Sequence, residues 1–391
     1  MTLIRDSIKF NMKAELKHGD FRMLKWTKND LQASGKVELD FSGNDIDHFL
    51  GKAGIYQGAF LSNGKNMGFD SMILTSKYEN NQKQLSLHSN QIDADLTGNF
   101  KLLELSSAFR FFLSRYFPKY INENKGKLSS QHFNFNIKTY EVEDYLKIID
   151  PKIIGGNYSN LSGIINIDSN QLHLTGKIPF FGYDSYSFKD IDISEDGGID
   201  TLQTILTAGN ISISQSINFP YTNLLVKSAN DVSEINLKTS ANETFSDAEL
   251  NAQLTTLSDG IKLHFYPSTF IINEKKWMLD KDGELILRKA FINANDIRFH
   301  QKEQQLILSS EMDDEKDEQK IVLNITNFIL EDFIHFAFKD PKIEGTITGL
   351  ITVTDPLGKS IIEFFGKADS LKIENEKIGS ISLQSKFDLE K

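Results

Sequence analysis

The chain has 391 residues, a net charge of -11 and 39% hydrophobic residues, which suits two or three compact domains or one extended body. Its negative charge opposes phosphate backbones and anionic bilayer surfaces, so nucleic acid is not an expected partner. With no cysteine, disulfide frameworks, thiolate metal sites and thiol nucleophiles are excluded.

The first ten residues, MTLIRDSIKF, hold Arg5 and Asp6 and lead into strand-like alternation without the apolar core of a signal peptide. No run of about 18 apolar residues follows anywhere in the chain. Both ends interrupt a pattern in progress, the expectation for a segment of a longer protein. VELDFSGNDI (37–46), QIDADLTGNF (91–100), QLHLTGKI (171–178) and KIEGTITGLI (342–351) repeat one theme, apolar residues alternating with polar ones and closing on glycine. Period-two alternation predicts strands with one apolar face, and the glycines offer places for a sheet to bend or bulge. The theme continues at Ile211, Ile213 and Ile217, at Ile235 and Leu237, at Ile261, Leu263 and Phe265, and at Leu306 and Leu308. Turn signals separate these runs at EDGG (195–198), SDG (258–260) and KDG (281–283).

LLELSSAFRFFLSRYF (102–117) breaks the period. Leu102, Leu105, Phe109, Phe112, Tyr116 and Tyr120 fall near one helical stripe, and Pro118 marks the end. The spacing predicts an amphipathic helix against the sheet with Phe109, Phe112 and Tyr116 inward. DIDHFLGKAG (45–54) and LEDFIHFAF (330–338) predict further short helices, each inside a loosely repeated order of strand, acidic turn, helix and glycine-bearing strand. The predicted fold is mostly β: an elongated, curled antiparallel sheet forming a groove over 1–100 and 126–391, with the helical segment at 101–125 between them.

Catalytic signatures are missing. The histidines, among them His48, His88, His173 and His264, are scattered singly without a pair at metal-ligand spacing. DPLGKS (355–360) ends like a phosphate loop, but Val353 stands where the first glycine belongs and a strand-like IIEFF follows. EMDDEKDE (311–318) lacks the glycine and spacing of a calcium loop and reads as a hairpin tip. The expectation is a non-enzyme with no cofactor and no metal.

Three passages, FRFFLSRYFPKYIN, HFNFNIKTYEVEDYLKIIDPKIIGGNYSN and IKLHFYPSTFIINEKKWMLD, together resemble the middle region of TamB-type translocation and assembly proteins in the form found in Bacteroidota. The resemblance rests on order and spacing over most of the chain, with the Tyr116-Phe117-Pro118 helix end and the Tyr266 to Trp277 passage as its best markers. It implies a periplasmic segment of an inner-membrane-anchored protein related to AsmA-like and bridge-like lipid transfer proteins, with an outer-membrane assembly partner met through regions outside this segment. Its strands would curl around phospholipid acyl chains.

Alternation leads to a similar place, because predicted helices are too few to cover so many one-sided strands. Leu172, Leu174, Ile178, Ile211, Ile213, Leu263 and Phe265 are the candidate groove residues, with His173, Lys177, Ser212, Ser214 and His264 facing water. The competing expectation is a structural or chaperone-like β-protein that binds outer-membrane or secreted proteins through its sheet edges. An outer-membrane barrel fits less well, for want of aromatic girdles at the strand ends.

Overall fold

The computed structural model describes residues 9–388 apart from 24, 26–29, 46, 63, 122–127, 214–217, 241–244, 281, 290, 314–317, 334–340 and 375. Strands make up 71% of the protein, in curled, unclosed antiparallel sheet. The chain divides into two compact units, one of Met1–Leu113 with Glu123–Gly209 and one of Ser114–Asn122 with Asn210–Lys391.

Unit one holds β1 (Lys9–Asp20), β2 (Leu31–Ser42), β3 (Leu50–Ser62), β4 (Lys65–Glu79), β5 (Gln82–Ser89), β6 (Ile92–Asn99), β7 (His132–Thr139), β8 (Ile153–Gly155), β9 (Asn160–Asn166), β10 (Gln171–Tyr183) and β11 (Tyr186–Gly197). β12 (Leu202–Ser212) runs on into unit two. Unit two continues with β13 (Asn218–Ala229), β14 (Val232–Ser240), β15 (Phe245–Thr256), β16 (Gly260–Phe265), β17 (Ser268–Ile272), β18 (Lys275–Leu279) and β19 (Glu284–Arg288). It ends with β20 (Phe291–Asn295), β21 (Ile297–Gln301), β22 (Gln304–Asp313), β23 (Glu318–Ile329), β24 (Ile343–Thr354), β25 (Ile361–Ile373) and β26 (Glu376–Asp388).

In unit one the ladder is a meander, with β8 and β9 both pairing β10. Register turns the period-two pattern into rows that cross the strands. Met12, Leu39, Ala53, Leu74, Leu87, Ala94, Ile137, Leu161, Gly176 and Ile193 stand opposite one another through ten consecutive strands. Not one is polar. At roughly 4.8 Å per strand this row runs about 43 Å, and it lies on the face that β10 turns inward: Leu172 and Gly176 are buried while His173, Thr175 and Lys177 are exposed.

Two helices close the strand ends of unit one. α1 (Leu105–Ser114), preceded by a 3-10 turn at Leu102–Glu104, sits at one end. There the Leu102 amide donates to the Asp47 carboxylate at 2.6 Å, the Lys101 amide to Gln131 Oε1 and Lys83 Nζ to the Asp47 carbonyl. Phe112 is 1% exposed and lies on Gly197, where an added Cβ would come within 2.6 Å of its ring. The helix is thus present but shorter than 102–117, and its 3-10 start shifts the phase of the stripe. Ala108 and Phe112 are buried, whereas Phe109 is 38% exposed and Tyr120 71% exposed, so Phe109 does not point inward.

α2 (Glu143–Ile149) closes the opposite strand ends, with Glu143 and Asp144 in its first turn and Lys147 in its last. Tyr145 packs edge-on to Phe60 and donates to the Gly68 carbonyl at 3.1 Å, and Lys65 reaches Asp144. The helix expected over 45–54 is not formed: Asp47 and His48 make a turn, and β3 begins at Leu50. Phe49 is buried against Phe41 instead. The helix expected over 330–338 falls mostly outside the described residues, after a 3-10 turn at Leu330–Asp332.

Unit two is built on the same logic with one departure. β15 forks: Phe245 to Glu249 pair β17, while Ala252 to Thr256 pair β16. Asn251 bridges the split, its amide donating to Ser268 Oγ and its carbonyl accepting from the Tyr266 amide, both at 2.9 Å. One branch runs on to β19 and β20, the other through β18 to β21 and β22. At one end of these strands Trp277, 0% exposed, stacks on Phe299 at 4.8 Å and meets the edge of Phe333 at 5.0 Å. Lys275 binds the buried Asp332 beside them at 2.6 Å. At the other end the β13–β14 turn is held by the Tyr116 to Lys119 segment: the Asp231 amide donates to the Tyr116 carbonyl, and Asp231 Oδ1 accepts from the Lys119 amide.

Burial of Phe112 sets a measurable contrast within α1. Phe112→Ala should cost about 3 to 5 kcal/mol, as for other fully buried aromatic truncations, and should lower Tm clearly. Phe109→Ala and Arg110→Ala should change Tm little, so thermal melts of the three variants test which face of α1 is inward.

Candidate functional site

The inner face between the end covers is the candidate site. In unit one it is lined by the ten-residue row described above and by a neighbouring row of Phe10, Phe41, Gly51, Ser76, Leu85, Leu96, Phe135, Gly163, Leu174 and Glu195. Strand alternation alone puts these residues together. On β10, Leu172, Leu174 and Ile178 point to the inner face, and His173 and Lys177 to the outer one. The outer pair is engaged: His173 Nδ1 lies 2.5 Å from Asp196 and Lys177 Nζ 3.2 Å from Asp192.

Unit two carries a cavity of about 380 Å³ lined by Ile211, Ile213, Phe219, Thr222, Leu237, Thr239, Ala248, Leu250 and Phe270. Its two hydroxyls are satisfied locally, Thr222 and Thr239 bonding each other and the Phe219 and Pro220 carbonyls. The hollow therefore presents hydrocarbon and no free polar group among these residues. Ile211 and Ile213 line it directly. Leu263 and Phe265 do not, but they stand opposite Leu254 and Ala252, on the side of β15 that carries Ala248 and Leu250. Ser212 is half-buried and bonded to Asn218, His264 is half-buried beside Glu284, and Ser214 lies outside the described residues.

Glu195 went unnoticed in the sequence because EDGG reads as a turn. The structure keeps Glu195, Asp196 and Gly197 in β11, and register sets Glu195 on the inner face opposite Leu174. Burial pushes its carboxyl above the usual carboxylate range, and a hydrogen bond with Thr204 draws it partly back.

The remaining chemical candidates resolve into ordinary structure. Asp355 folds its carboxylate over the turn and accepts from the Gly358 and Lys359 amides at 3.0 and 2.9 Å, so DPLGKS occupies its own anion-binding donors and joins β24 to β25. EMDDEKDE joins β22 to β23, with Asp313 opposite Glu318 and its tip outside the described residues. Among the described residues no group of three or more His, Asp or Glu side chains could hold a metal ion, and no helix is long and apolar enough to cross a membrane.

Comparison with known protein families, curated proteins and solved structures found no match for this chain.

The inward carboxyl makes stability depend on pH in a definite direction. A carboxyl whose folded pKa is raised binds protons on folding, so its contribution is full below the unfolded value and is lost as pH rises through the folded one. Glu195→Gln, which keeps the Thr204 hydrogen bond, should therefore raise Tm at pH 7. The gain should vanish below about pH 4, where the unfolded glutamate is protonated too. Melts across pH check this, and a gain that persists at low pH would point to another cause.

Proposed function

We propose that this chain is a lipid-carrying or lipid-shielding scaffold of the bacterial cell envelope, without catalytic activity, whose inner face holds phospholipid acyl chains. The observation that carries the reading is the unbroken apolar row through ten strands, together with the hydrocarbon-lined cavity of about 380 Å³ in unit two. A soluble protein rarely keeps so long an apolar strip without an occupant. An acyl chain fits the chemistry, since each buried methylene contributes roughly 0.8 kcal/mol and asks for no hydrogen-bond partner.

The passages that resemble TamB-type proteins favour a periplasmic setting, as part of an inner-membrane-anchored protein that works toward the outer membrane. The outer-membrane partner and the anchor belong to that resemblance and would lie outside this segment. Uniform rows suit conduction as well as storage, because a hydrocarbon tail gains the same contact at every strand and meets no deep trap.

Photocrosslinking residues at 174 and 250 should capture acyl lipid, and one at 173, a single residue away on the wet face, should not. Equal capture at 173 and 174 would overturn the one-sided groove. Leu174→Asp should reduce the lipid retained in native mass spectrometry severalfold, because an unpaired carboxylate on the path is costly to desolvate. His173→Gln should leave it unchanged. A wild-type chain that retains no acyl lipid would overturn the proposal.

A further inference from the structure

We infer that Glu195 and Thr204 form a station for the ammonium headgroup of an amphiphile whose tail lies along the apolar face of unit one, an inference that rests on the lipid reading above. β11 carries three acids within five residues, and they differ in what faces them. Asp192 and Asp196 point outward, where Lys177 pairs with the first and the His173 ring reaches the second. Glu195 points inward and meets Leu174. Its neighbours along the inner side of β11 are Ile193 and Gly197, neither of which can offer charge or a side-chain donor.

Among the described residues Glu195 has a hydrogen bond with Thr204 and no ion pair. Lys83, on the next row toward α1 with Gly98, Phe133, Ile165, Leu172 and Gly197, stands five strands away and is engaged with the Asp47 carbonyl. A carboxylate on an apolar face is costly unless a cation and donors reach it. Among the described residues the fold supplies one donor, the Thr204 hydroxyl, and no cation; a ligand can supply the cation and further donors. An ammonium group carries up to three donors, enough for the two carboxylate oxygens and the Thr204 hydroxyl in charge-assisted bonds.

The surroundings set an orientation. Phe112 covers Gly197, so the strand end just beyond Glu195 is closed. The row through Ile193, Gly176 and Leu161 begins one step further in and leads across the sheet. A headgroup at Glu195 would therefore sit under the α1 cover with its tail on the longest apolar row. Burial raises the affinity of this carboxyl for a proton, and a bound ammonium would act in the opposite direction.

The test uses the 391-residue chain with phosphatidylethanolamine and phosphatidylglycerol of identical acyl composition, offered in mixed micelles and read by native mass spectrometry. Wild type should retain the ethanolamine lipid with about tenfold preference, the size of one charge-assisted hydrogen bond. Glu195→Gln should remove the preference while still retaining lipid, and the outward Asp192→Asn should keep it. Equal retention of the two lipids by wild type, or a preference that survives Glu195→Gln, would overturn the headgroup station and leave the lipid reading standing. Retention of neither lipid by wild type would overturn both.

Discussion

Every strand with alternating residues has one face that water does not favour, and an antiparallel sheet built from such strands must cover that face or give it an occupant. The rest of this molecule answers to that constraint. Among the described residues the covers lie at the strand ends: α1 and α2 in unit one, the Trp277 cluster and the Tyr116 segment in unit two. Between them the described residues leave the inner face to its own side chains, and the same alternation that calls for a cover lines up the rows that make the face useful.

Polar groups mark where those covers attach. The Asp47 carboxylate receives the Leu102 amide, the Asp231 carboxylate receives the Lys119 amide, and Lys275 holds Asp332 beside Trp277. Each lies at a strand end, where a carboxylate can satisfy backbone donors or a single lysine that would otherwise be buried without partners. Away from the ends the inner face admits Thr222 and Thr239, which bond locally in unit two, and on the two rows of unit one Ser76, whose buried hydroxyl has no hydrogen-bond partner among the described residues, and the single carboxylate of Glu195. These charges gather at strand ends, and Glu195 on the inner face of unit one is the departure from that pattern.

The β class and the two faces of β10 were legible in the sequence, because Leu172 to Ile178 alternate without a break and the structure keeps that alternation. α1 was legible as a helix but not in phase, since Leu102–Glu104 wind as a tighter turn and rotate Phe109 out in favour of Ala108 and Phe112. α2 was missed because seven residues between strand-like runs give too short a period to register, although Glu143, Asp144 and Lys147 carried the charge pattern of helix ends. The fork of β15 depends on hydrogen bonds between distant segments and has no local signature beyond Pro267 in the linker between its two partners. Glu195 was hidden by two glycines that follow it closely, one of which serves as a seat for Phe112 and not as a turn.

That seat recurs. Gly58 lies under Phe69 on the adjacent strand, where an added Cβ would come within 2.3 Å of the ring, as Gly197 lies under Phe112. In each case a residue without a side chain and a residue with a flat one fill a single volume. Neither partner can drift alone: a methyl at the glycine evicts the ring, and a smaller residue in place of the ring bares the backbone. Over the history of such a protein these positions should therefore change as couples, glycine with ring giving way to a larger residue with a smaller one, so that the cross-strand neighbours of the fold are written into which substitutions travel together.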